Sequence, residues 1–97
     1  MKVYISGGIT GVDGYMAKFQ AVQDRLEKLG YDVINPAKIL SNMPLSTSYT
    51  EYMKLCMAFI DQCDEVYMMP EWENSKGATF EKHYAEIIGK YISGEGV

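Results

Sequence analysis

Basic side chains are scarce in this chain: nine Lys and Arg stand against thirteen Asp and Glu, a net charge of −4. A nucleic acid polymer is therefore not expected as partner, because phosphate-backbone binding needs a dense basic face. Cysteine is nearly as sparse. Cys56 and Cys63 are the only two; seven residues apart in a helical pattern, they lie about two turns apart on one face, too far for a disulfide and without a second ligand pair for zinc. They read as buried thiols, and no metal or cofactor is expected. No apolar run reaches the length of a membrane span, and the apolar part of Met1–Gly7 is too short for a signal peptide. The expectation is a cytoplasmic protein forming one domain over residues 1–97.

What remains is a regular alternation of strand and helix signals. Lys2–Ser6 reads as a first strand stopped by Gly7-Gly8, and Asp13 as the cap of a helix whose apolar positions are Tyr15, Phe19, Val22, Leu26 and Leu29, ended by Gly30. Strand two is Tyr31–Ile34, ended by Asn35-Pro36. The polar stretch Ser41–Thr50 is too irregular for an element and long enough for a mobile flap. Ser48 and Glu51 have capping-box spacing, and behind them Tyr52, Leu55, Cys56, Phe59, Ile60 and Cys63 form the stripe of a second long helix. Strand three is Glu65–Met69, closed by Pro70. A last helix runs from near Gly77 to Gly89, and Tyr91-Ile92 adds a short strand. Near-continuous apolar strands separated by helices predict an α/β domain, three-layer and Rossmann-like (flavodoxin-like), with a short parallel sheet of three or four strands flanked by helices.

Glu81 breaks the pattern of the last helix. It falls between Ala78 and Ala85 on the apolar face, so its carboxylate points toward the protein. A charge there must be paired, hydrogen-bonded or used, and breaches of this kind gather at functional sites. The ligand crevice of an open parallel sheet lies beyond the carboxyl ends of its strands, and two further features converge on that end. One is Ser6-Gly7-Gly8-Ile9, whose backbone N–H groups face outward to a phosphate or sugar oxygen if the loop is more than a plain turn. The other is Ser75, delivered to the start of the last helix either to bond a ligand or to cap the helix. Tyr4 reaches the same crevice or belongs to the core, and Trp72 stacks on a ring or anchors packing. His83, two residues after Glu81, turns away to the surface.

Tyr4-Ile5-Ser6-Gly7-Gly8-Ile9, Cys63–Met69, and Trp72-Glu73-Asn74-Ser75-Lys76-Gly77-Ala78 with Glu81 together resemble the nucleoside 2-deoxyribosyltransferase-like superfamily, and within it the small domain group labelled DUF4406. The resemblance covers nearly the whole chain. It implies a Glu81 nucleophile attacking an anomeric carbon, Tyr4 in the active site, and Ser75 on a 5′-phosphate. Substrate contacts would come from Ser6, Gly7, Gly8, Ile9, Gly77, Trp72 and Cys56. It also marks two departures: Cys56 stands where characterised relatives carry an aspartate, and Thr10 roughly where the monophosphate glycosidases carry an arginine. The expected ligand is a small nucleoside or nucleotide, and the expected activity hydrolysis or transfer of its N-glycosidic bond. A non-catalytic nucleotide-binding module with the same pocket is the second reading, an interaction protein with exposed methionines the third. A homo-oligomer is expected from a small open sheet with apolar helix faces.

Overall fold

A computed structural model describes all residues, Met1–Val97. Four strands, β1 (Lys2–Ser6), β2 (Asp32–Ile34), β3 (Glu65–Met68) and β4 (Tyr91–Ser93), form one parallel sheet in the order β2-β1-β3-β4. Helix α1 (Tyr15–Lys28) connects β1 to β2, the short α2 (Pro36–Ile39) and long α3 (Tyr49–Asp61) connect β2 to β3, and α4 (Lys76–Ile87) connects β3 to β4. The expected α/β three-layer architecture is the observed one.

Side-chain alternation along the strands sorts the core into two layers. Val3 and Ile5 of β1, with Tyr67 and Met69, pack under Phe19, Val22 and Leu26 of α1 and Ala37 of α2. Tyr4 of β1, with Val66 and Met68, packs against Cys56 and Ile60 of α3 and Ala78 and Ala85 of α4. Every even-numbered residue of β1 therefore looks toward α3 and α4. The chain leaves β1 in opposite lateral directions, first to β2 and then to β3, which makes the carboxyl ends of β1 and β3 the switch point where such sheets open a crevice.

Element ends depart from the sequence reading in ways that have local causes. Asp13 does not cap α1: Gly14 occupies that position in the left-handed conformation, with no side-chain hydrogen bond. Leu29 lies beyond α1 and is 71% exposed, since the stripe it would continue ends when Gly30 turns the chain. Strand two starts at Asp32, not Tyr31. Asn35-Pro36 does more than end β2; the Asn35 side chain accepts from Lys38 N at 3.2 Å and Pro36 takes the first helical position, which starts α2. A 3₁₀ turn at Leu40–Asn42 then enters the stretch expected to be irregular. The Ser48–Glu51 capping box is present, and Cys63 lies just beyond α3 rather than within it; both cysteines are buried and free.

Candidate functional site

Residues 4 and 6 of a strand share a face, and on β1 that face meets α4. Tyr4 Oη donates to Glu81 Oε2 at 2.7 Å, and Ser6 Oγ donates to Glu81 Oε1 at 2.7 Å. All three residues are buried, Glu81 at 6% exposure. The misplaced carboxylate is thus gripped at both oxygens by two neutral donors from the first strand, with no cation pairing it.

Burial pushes the Glu81 carboxyl above the usual carboxylate range, opposed by the donors Tyr4, Ser6 and Cys56, which favour its ionised form. Tyr4 is held well above the ordinary phenol value, first by burial and then by the Glu81 charge. Cys56, on α3, faces both. Burial and the neighbouring carboxylate push its thiol up to about 12, so it stays protonated at neutral pH.

A cleft of about 740 Å³ opens over this cluster at the strand ends. That volume lies within the range of small-molecule sites. Tyr4, Gly7, Ile9, Cys56, Ser75, Gly77 and Glu81 all line it. Ser6 lies beneath the surface, behind Glu81. Gly8 is half-buried and does not line the cleft; a Cβ there would stand 3.2 Å from Val12 Cγ2 and 3.6 Å from Ser75 Cβ, so Gly8 lets the glycine loop pack on the loop carrying Ser75. A Cβ on Gly7 would come within 2.8 Å of Met69 Sδ, which explains glycine at the turn itself.

Ser75 is the N-cap of α4, its Oγ accepting from Ala78 N at 3.1 Å. Its hydroxyl proton remains available to a ligand. Gly77, two residues on and the second residue of α4, has Tyr49 Oη only 3.2 Å from where its Cβ would be. Trp72 is not brought to the cleft. Its ring packs beside the Tyr4 core layer under Lys82, and its indole N–H donates to Gly96 O at 2.8 Å. Asp61, at the exposed end of α3, accepts from Tyr84 Oη and does not line the cleft. His83 is exposed, as its helical phase requires. No cluster of three or more His, Cys, Asp or Glu side chains is placed to hold a metal ion, and no helix is long and apolar enough to cross a membrane.

Several lining residues escaped sequence reasoning. Tyr49 and Met53 precede Cys56 by seven and three residues on one helix face and line the cleft with it, whereas the apolar stripe read from the sequence starts only at Tyr52. Lys76 is the cleft's one basic residue. Its adjacency to the Ser75 cap was the available signal.

The model of one family, described as a domain of unknown function (DUF4406), matches residues 1–93. The chain belongs to the DUF4406 family. Among solved structures, the DUF4406 chain is similar to a 2-deoxyribosyltransferase from the psychrotolerant bacterium Bacillus psychrosaccharolyticus, with a TM-score of 0.79 at 17% identity over 97% of this chain and 71% of that one. The two chains therefore share a fold. No curated protein matches the DUF4406 chain in sequence.

Proposed function

We propose that this DUF4406 domain binds a nucleoside or nucleotide and hydrolyses or transfers its N-glycosidic bond through Glu81. The observation that carries the reading is the isolated, buried Glu81 carboxylate held at both oxygens by Tyr4 and Ser6 on the floor of the 740 Å³ cleft. Fixed by two hydrogen bonds, one oxygen faces an anomeric carbon without rotamer loss, and the developing oxocarbenium charge is stabilised by a carboxylate poorly screened from it. Attack forms a glycosyl ester as the base leaves; water or a second base then resolves it. Ser75 Oγ, the free N–H groups opening α4 and the Lys76 ammonium offer a 5′-phosphate a place at the other end of the cleft.

One observation favours a binding module instead. The buried Cys56 thiol, held protonated beside Glu81, stands where the resemblance implies a carboxylate, and Glu81 is the only carboxylate lining the cleft. Incubating the protein with a panel of nucleosides and 5′-monophosphates and following free base by chromatography separates the two. Base release supports the glycosidase or transferase; ligand-induced stabilisation with no base release supports the module.

A further inference from the structure

Two cavities meet at the start of α4. Met53 and Met57 follow Tyr49 along α3 in steps of four, and Phe80 follows Lys76 by four on α4, so each helix presents a column of side chains on one face. Between the two columns lies a second groove of about 420 Å³. Its walls are mostly apolar, from Tyr49, Met53, Met57 and Phe80, and its charged groups are two lysines, Lys54 and Lys76. Neither ammonium has an anionic partner, since the ion pairs of the chain join Arg25 to Glu95 and Lys82 to Glu86. In a chain of net charge −4, two unpaired cations beside an apolar groove reverse the sign locally.

Tyr49, Met53 and Lys76 also line the cleft that holds Glu81. The two spaces therefore share a wall, and that wall stands against the helix terminus: a Cβ on Gly77 would lie 3.2 Å from Tyr49 Oη, 3.5 Å from Met53 Sδ and 3.9 Å from Ser75 Oγ. A 5′-phosphate held at Ser75 and Lys76 would stand on this boundary, with the sugar and Glu81 on one side and the second groove on the other. A bare monophosphate would end there and leave the groove empty. Resting on the phosphate placement in the reading above, we infer that the ligand continues through the boundary: it is a nucleoside 5′-diphosphate ester, with its second phosphate at Lys54 and a terminal ring on Met53, Met57 and Phe80. Lysine ammonium groups suit a bridging diphosphate as point charges. Methionine thioethers and the Phe80 ring, 43% exposed, suit the face of a second ring. The bond broken is still the C1′–N bond of the nucleoside in the cleft, at Glu81.

The test compares 5′-monophosphates with symmetric dinucleoside 5′,5′-diphosphates of adenosine, guanosine, cytidine and uridine, ribo and 2′-deoxyribo, on the intact native chain. Binding is read by calorimetric titration, and free base by chromatography. A symmetric compound can enter from either end, and it carries much the same charge as the monophosphate, so tighter binding would not reflect net charge. For any base that binds, the dinucleoside diphosphate should have a Kd about 10-fold or more below that of the monophosphate, the scale of one added charge-assisted hydrogen bond. Lys54→Ala and Phe80→Ala should each remove most of that advantage and leave the monophosphate Kd unchanged. Equal Kd values for the two compounds overturn the inference, and so does an advantage that survives both substitutions. Neither result bears on Glu81, because base release from the monophosphates is read separately. Sedimentation covers the other occupant of the groove: a dimer that Phe80→Ala dissociates, with ligand preference unchanged, would assign the groove to a second copy and overturn the inference. Failure of every compound to bind overturns both the inference and the phosphate placement beneath it.

Discussion

Ser6 Oγ donates to Glu81 Oε1 at 2.7 Å from a position with no solvent exposure, on the same strand face as Tyr4. The bond favours the ionised carboxylate against the burial that opposes it. Ser6→Ala should therefore move the Glu81 titration further upward, read by carbon NMR of a labelled glutamate carboxyl, and lower stability by about 1–3 kcal/mol, the scale for leaving a buried partner unsatisfied. An unmoved titration would mean that the Ser6 hydrogen bond does not help set the state of Glu81.

The raised Glu81 value also makes a statement about stability. In the window between the ordinary carboxylate value and the raised native one, the folded chain holds a proton that the unfolded chain has lost, so this group's contribution is full at low pH and is lost as pH rises through the native value. Glu81→Gln carries no such penalty. The melting temperature of Glu81→Gln minus that of the native chain should grow as pH is raised from about 4 through that window; a pH-independent difference would contradict the raised value.

Most of the fold was legible because Phe19, Val22 and Leu26, or Cys56 and Ile60, announce their faces by spacing alone. Glu81 was legible for the opposite reason, as a charge in an apolar column. Its partners were less so. Tyr4 and Ser6 share a strand face by alternation, but nothing in the sequence says that α4 crosses that face at residue 81; the sheet order brings them together over 77 and 75 residues. Trp72 misled because its ring is recruited by Gly96, a contact no local pattern encodes.

That contact gives a prediction of its own. Trp72→Phe keeps an aromatic ring but loses half of the indole and its hydrogen bond to Gly96 O, which should cost about 1 kcal/mol or more in denaturant unfolding. Ligand affinity should be unchanged, since Trp72 lies outside the cleft. A specific loss of affinity would place Trp72 in ligand contact after all.

At the other end of the cleft, 5′-monophosphates should raise the melting temperature more than the matching nucleosides. Ser75→Ala and Lys76→Ala should each shrink that difference, the first also weakening the α4 cap by about 1 kcal/mol. Equal shifts for both ligand classes with the native chain would leave Ser75 as a helix cap only.

The central claim is that Glu81 forms a bond to the sugar, and Glu81→Gln tests it most directly. Gln keeps the size of the side chain and partners for Tyr4 and Ser6 but removes the nucleophilic charge. Release of free base, followed by chromatography over the same panel of nucleosides and monophosphates, should fall by about three orders of magnitude or more while ligand-induced stabilisation persists. Base release that continues at the native rate in Glu81→Gln would contradict the mechanism.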